Sequence, residues 1–190
     1  MFRRIAVSMI VVALFVGVQQ AKALDIGDKA PDFTALGVDD KQHSLADASK
    51  DSNLVVVCFT CNQCPVAVAY EDRFIDFNKK YQDKKVAFIA LNCNNKTEGL
   101  DAMKARAKEK DFNFVYAFDK SAKAAKEYGA GVTPELFVVK DDKIVYHGAF
   151  DDSMNEPETS HLVNAVDALL AGKTPEVAET KAFGCGIKAD

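Results

Sequence analysis

Short apolar runs alternate with amphipathic stretches along most of this chain. Leu54 to Phe59 is a continuous apolar run, which suits a strand covered on both faces. Val66, Tyr70, Phe74, Phe77 and Tyr81 then recur every three or four positions, the stripe of an amphipathic helix. Val86 to Leu91 predicts a second buried strand, and Leu100, Met103 and Ala107 mark one face of a second helix. A short strand is expected at Phe114 to Phe118, followed by a short helix at Ser121 to Tyr128 that Gly129 stops. Leu136 to Val139 and Ile144 to Tyr146 flank the polar segment 140–143, a β-hairpin signal with a longer turn. The last helix is expected from about Glu158 to Leu170, with Leu162, Val166 and Leu169 inward and Gly172 as its stop.

Upstream, Phe33 to Leu36 and Gln42 to Leu45 flank Gly37 and read as a small leading hairpin. Beyond Gly172 there is no periodicity, so 173–190 reads as an extended tail. Strand–helix–strand units need right-handed crossovers and give parallel neighbours, whereas the hairpin adds antiparallel ones. The expected fold is therefore α/β, with a mixed central sheet, helices on both faces and an N-terminal β-hairpin extension.

The first 23 residues stand apart. Arg3 and Arg4 precede an apolar run from Ile5 to Val18, and Ala21-Lys22-Ala23 supplies a small-x-small cleavage signal. The run is shorter than the roughly 20 residues a spanning helix needs, so 1–23 reads as a secretory signal peptide. The expected products are a domain over 24–172 and a tail over 173–190, exported to a compartment such as a periplasm and with no stable membrane span after cleavage. Removing the three basic residues of the signal shifts the formal charge from −4 to −7. A mildly acidic domain without a basic run argues against nucleic-acid binding.

Five cysteines in an exported chain of 190 residues are too few for a disulfide scaffold, and their odd number leaves one unpaired. Cys61-Asn62-Gln63-Cys64 falls where a strand ends and a helix begins. This spacing lets both sulfurs meet, and a helix N-terminus stabilises the thiolate that carries out disulfide exchange. On that basis Cys61 is the expected nucleophile and Cys64, about a turn into the helix, the resolving thiol. Zinc would need a second cluster, which Cys58, Cys93, Cys185 and three scattered histidines do not form. Pro65, where haem attachment needs histidine, excludes that alternative.

Together Lys29-Ala30-Pro31-Asp32-Phe33, Phe59 to Pro65, Ala124 to Ala130, Val132-Thr133-Pro134 and Gly184 to Lys188 resemble the thioredoxin-like superfamily. Within it, the chain resembles the peroxiredoxin-like branch related to alkyl hydroperoxide reductase/thiol-specific antioxidant proteins. The resemblance implies a thioredoxin-like fold and a cis peptide bond before Pro134. Thr133 and Pro134 would then lie beside the sulfurs and orient the substrate, and Thr60 would support the site. Unlike thioredoxins, the chain has no tryptophan, and the run 54–59 contains no acid to accept a proton from the resolving thiol.

Cys58 is expected to be an inert core thiol and Cys93 a spectator near the catalytic edge of the sheet. Cys185, between two glycines in the tail, is a candidate additional redox thiol. The leading expectation is an exported thiol–disulfide oxidoreductase acting on protein or small-molecule disulfides and dithiols with an upstream redox partner. No cofactor or metal is implied, because the cysteine pair itself stores two electrons. One alternative is a thiol peroxidase with Cys64 as the peroxide-reactive sulfur, resolved by Cys61 or Cys185, although Arg73 and Arg106 lie in helices. The other is a copper(I)-handling protein using Cys61, Cys64 and Cys185. His147, the one histidine considered beside them, is expected at an exposed strand position.

Overall fold

A computed structural model describes residues 24–189, so the expected signal peptide lies outside the described residues. The chain runs β1 (Thr34–Gly37), β2 (Gln42–Ser44), α1 (Leu45–Asp51), β3 (Leu54–Thr60), α2 (Pro65–Tyr81), β4 (Val86–Asn92) and α3 (Leu100–Lys110). It continues through β5 (Val115–Phe118), α4 (Lys123–Tyr128), β6 (Val132–Thr133), β7 (Glu135–Lys140), β8 (Lys143–Gly148), α5 (His161–Leu170) and β9 (Cys185–Gly186). Seven strands form one mixed sheet in the order β2-β1-β5-β4-β3-β7-β8, parallel at β3–β4 and β4–β5 and antiparallel elsewhere. β6 and β9 form a separate two-stranded pair.

The unbroken apolar character of β3 follows from its central place. Leu54, Val56 and Cys58 pack on one face with Tyr70, Phe74, Phe77 and Tyr81 of α2, Met103 of α3 and Leu162, Val166 and Leu169 of α5. Val55, Val57 and Phe59 pack on the other face with Tyr128 of α4, Leu45 of α1 and Phe33 of the leader. Each large side chain removed from water in this way contributes roughly 1.5–3 kcal/mol. The C-terminal ends of β3 and β4 are thereby fixed at one edge of a rigid sheet.

Four local readings are revised. The hairpin turn is short, because Lys140 pairs with Lys143 and only Asp141 and Asp142 turn, both at positive φ (51° and 61°). That is the geometry of a two-residue hairpin loop, and Asp tolerates it better than most residues. Helix α1 was not anticipated: Ser44 caps it by accepting the Asp47 N–H at 3.0 Å, so Leu45 begins a helix instead of ending a strand. Helix α5 starts at His161, not Glu158, because the Asp152 carboxylate takes the N–H groups of Glu158 and Thr159 at 3.0 and 3.1 Å.

The fourth is the exposure of His147, and it follows from the course of the tail. The tail runs beside β8, where the His147 N–H donates to Ala178 O and the Thr180 N–H to His147 O, each at 3.0 Å. Consequently His147 is buried, not exposed. Its Nε2 meets Glu135 Oε1 at 2.7 Å, and its ring stacks on Phe137 with centroids 4.3 Å apart. Farther on, β9 joins β6 and pairs Thr133 with Cys185.

Candidate active site

Helix α2 begins at Pro65, so Cys64 is its N-cap and Cys61 lies a turn earlier, in the loop after β3. The sequence reading had given the helix terminus to Cys61. Pro65 explains the difference, since proline lacks an N–H and suits the first helical position. The Cys64 sulfur accordingly accepts the Ala67 N–H at 3.5 Å. Thr60 is the buried last residue of β3, opposite Asn92 of β4.

Thr133 joins the two sulfurs. Its hydroxyl lies 3.4 Å from Cys61 Sγ, and its carbonyl accepts a hydrogen bond from the Cys64 thiol at 3.1 Å. The Thr133–Pro134 bond is cis, as the resemblance implied. The Glu135 carboxylate steadies the loop before Thr133 by accepting the N–H groups of Gly131 and Val132 at 2.8 and 3.2 Å. The tail closes the cluster, with the Cys185 N–H donating to Cys64 Sγ at 3.3 Å and Cys185 O accepting from the Thr133 hydroxyl at 3.4 Å. Cys61 and Cys64 are each 3% exposed, whereas Cys185 is half-buried.

These surroundings separate the two thiols electrically. Burial pushes Cys61 above the ordinary thiol value; the Thr133 hydroxyl and loop N–H groups only partly offset this, and the Glu98 charge adds to it. Burial also opposes ionisation of Cys64, but the Cys185 thiol, the Ala67 N–H, Thr133 and the Cys185 N–H together hold it below the ordinary value. The more acidic sulfur is therefore Cys64, the reverse of the order expected from the helix argument. Cys58 is wholly buried and pushed well up by desolvation. Cys93 is raised to about 12, by burial first and then by the charges of Asp119 and Cys61. The influence of the Cys61 charge puts Cys93, just beyond β4, on the same side of the sheet as the cysteine pair.

One part of the site had no sequence signal. Buried Glu98 accepts the N–H groups of Asn62 and Gln63 at 2.8 and 3.2 Å, and Asn92 Nδ2 at 2.8 Å. Tyr116 links the same groups, donating to Asn62 Oδ1 at 2.7 Å and accepting from Asn92 Nδ2 at 3.0 Å. The loop between the cysteines is thus clamped by an acid from a polar segment far along the chain.

Both arginines among the described residues are engaged elsewhere. Arg73 binds Asp151 Oδ2 at 2.5 Å and Met154 O at 2.6 Å. Arg106 binds both Glu71 oxygens at 2.9 and 2.6 Å and Glu109 at 3.0 Å. A cavity of about 730 Å³ lies at the opposite end of the sheet, between Asn53, Lys85, Lys140 and Gly172. Among the described residues, no group of three or more His, Cys, Asp or Glu side chains is placed to hold a metal ion. Nor is any helix among them long and apolar enough to cross a membrane.

A mixed sheet carrying a cysteine pair at the end of its central strand and a cis proline beside it defines a thioredoxin-like oxidoreductase. The AhpC/TSA family model matches residues 26–147, and the chain belongs to that family. Among solved structures it is similar to a hypothetical protein from Sinorhizobium meliloti 1021, with 32% identity over 90% of this chain and 98% of that one, at a TM-score of 0.82. An uncharacterized protein from Geobacillus kaustophilus is 31% identical over 87% of this chain and 93% of that one, also at 0.82. A Chlorobium tepidum structure named for a thiol:disulfide interchange protein, DsbE, is 26% identical over 66% of this chain and 85% of that one, at 0.58. Among curated proteins, nothing matches.

Proposed function

We propose that this protein is an exported thiol–disulfide oxidoreductase whose two electrons are held by Cys61 and Cys64. The observation that carries the reading is that a single residue, Thr133, hydrogen-bonds both sulfurs, through its hydroxyl to Cys61 and its carbonyl to Cys64. Cys64, the more acidic sulfur, attacks a disulfide and forms a mixed disulfide; Cys61 then displaces the leaving thiolate and closes the Cys61–Cys64 bond. The reverse sequence reduces the pair at the expense of an upstream dithiol. Thr133 and Pro134 orient the partner, and Thr60 anchors the loop to β3. Residues 24–172 form the catalytic domain and 173–190 its tail, after removal of 1–23 on export to a compartment such as a periplasm. Substrates are protein or small-molecule disulfides and dithiols, as the DsbE-named structure suggests.

Equilibration in glutathione buffers of graded redox potential tests this reading. The wild-type protein should give one two-electron transition, with Cys61 joined to Cys64 in the oxidised form. Cys61→Ser and Cys64→Ser should each abolish that bond. Its absence from the wild type, or a Cys58 or Cys93 pairing in its place, would overturn the reading.

A second reading, a thiol peroxidase at Cys64, draws on the same acidic sulfur followed by Pro65. The engagement of Arg73 and Arg106 with carboxylates elsewhere ranks it below the first.

A further inference from the structure

Any exchanger must expose a sulfur to its partner, yet Cys61 and Cys64 are each 3% exposed. What lies over them is the chain's own tail. β9 runs antiparallel to β6, with Val132 opposite Gly186 and Thr133 opposite Cys185. The Ile187 N–H donates to Gly131 O at 3.1 Å, and the Lys188 N–H to Asn94 Oδ1 at 2.8 Å. Gly184 seats the strand against Thr133: a Cβ there would meet the Thr133 carbonyl oxygen at 2.0 Å, so any larger residue forces the two apart. The edge of β6 beside the sulfurs is therefore already occupied, and the residue placed there is a cysteine.

Of the three cysteines outside the pair, only Cys185 suits exchange with a partner. Cys58 and Cys93 are both 0% exposed. Cys185 reaches the surface and packs against the Cys61–Cys64 cluster, its N–H bound to the Cys64 sulfur. Their contact raises Cys185 above the ordinary thiol value, while the Cys185 thiol and N–H help to hold Cys64 below it.

We propose that Cys185 is the relay thiol through which the buried pair exchanges electrons with outside partners, by way of a transient Cys64–Cys185 disulfide. The proposal rests on the exchanger reading above and places Cys185, in front of Cys64, as the sulfur that meets the partner. In the oxidised chain, the Cys185 thiolate attacks Cys64 Sγ; the Cys64–Cys185 bond forms, the Cys61–Cys64 bond breaks and Cys61 leaves as a thiolate. No electrons are gained or lost in this step. A thiolate of an external dithiol then attacks the exposed Cys185 sulfur and releases Cys64 as a thiolate. The second external thiol displaces Cys185, leaving the external pair as a disulfide and Cys61, Cys64 and Cys185 reduced. Two electrons have entered the chain, and the same steps in reverse deliver them to an external disulfide.

The test follows reduced full-length protein mixed with glutathione disulfide, acid-quenched, alkylated and peptide-mapped over time. Wild type should close Cys61–Cys64. Cys185→Ser should close the same bond at least about tenfold more slowly, because the intramolecular step is lost. Cys61→Ser should accumulate a Cys64–Cys185 disulfide, which a merely structural Cys185 would not form. Closure by Cys185→Ser at the wild-type rate, or a stable glutathione adduct on Cys64 of Cys61→Ser with Cys185 still free, would overturn the relay and leave the exchanger reading standing. A wild type that closes no Cys61–Cys64 bond at all would overturn both.

Discussion

The Glu98 carboxylate accepts the Asn62 N–H at 2.8 Å, across 36 positions of sequence, and so sets a negative charge under the loop that joins Cys61 and Cys64. Burial is the main reason that Cys61 resists ionisation, and this charge adds to it. Glu98→Gln keeps an acceptor but removes the charge. Cys61 should then ionise at lower pH, seen as an earlier rise in its alkylation rate with pH. Stability should fall by about 1–3 kcal/mol, because N–H groups bound to a charged acceptor lose part of their satisfaction. A Cys61 profile that is unmoved, or shifted upward, would contradict the role given to Glu98.

Gly184→Ala should lift β9 from Thr133, since the added methyl would stand 2.0 Å from the Thr133 carbonyl oxygen. Cys64 would then lose the bonds from the Cys185 thiol and N–H that hold it acidic. Its alkylation profile should move up in pH, and amides of residues 185–187 should exchange with deuterium faster. An unchanged Cys64 profile would mean that the tail does not tune this sulfur.

Glu135 holds three partners at once: His147 at 2.7 Å and the N–H groups of Gly131 and Val132. Glu135→Ala takes the acceptor from the buried His147 ring and from the N–H groups of exposed Gly131 and half-buried Val132, just ahead of Thr133. A loss of about 1–3 kcal/mol in urea unfolding is expected, chiefly from the unpaired His147 ring, together with slower disulfide exchange. Stability within about 0.5 kcal/mol of wild type would show that the cluster carries no weight.

Two buried thiols predict alkaline weakening of the reduced protein. Burial raises Cys58 well above the ordinary 9.0 and Cys93 to about 12. In the unfolded chain both lose their protons near pH 9, whereas in the folded chain they stay neutral. Their contribution is therefore complete below pH 9.0 and is lost as pH climbs toward 12. Each thiol adds a slope of up to about 1.4 kcal/mol per pH unit in that window. Cys93→Ala should flatten the dependence of urea stability on pH above 9; an equal slope in both proteins would contradict the assignment.

The elements most legible in the sequence were those governed by burial. The Leu54 to Phe59 run and the Tyr70, Phe74, Phe77 and Tyr81 stripe lie where their periodicity predicted, because each packs on the centre of the sheet. Spacing alone brought out the cysteine pair. What stayed hidden depends on polar bonds between distant segments. Glu98 sits in a loop with no pattern of its own and acquires meaning only when folding sets it beside Asn62. The place of Cys64 at the cap turned on Pro65, whose preference for the first helical position was there to be used. The tail lacked periodicity because its partners are the edges of β6 and β8, so its register comes from them. Burial of His147 was hidden for the same reason.

The most direct test of the cysteine pair as a disulfide exchanger divides one reduced sample between two oxidants. One half receives stoichiometric hydrogen peroxide and the other glutathione disulfide; both are acid-quenched, alkylated and peptide-mapped over time. The account predicts fast oxidation by the disulfide, ending with Cys61 joined to Cys64, and slow oxidation by peroxide. Fast oxidation by peroxide that begins at Cys64, with the disulfide slow, would contradict it and make this member of the family a peroxidase.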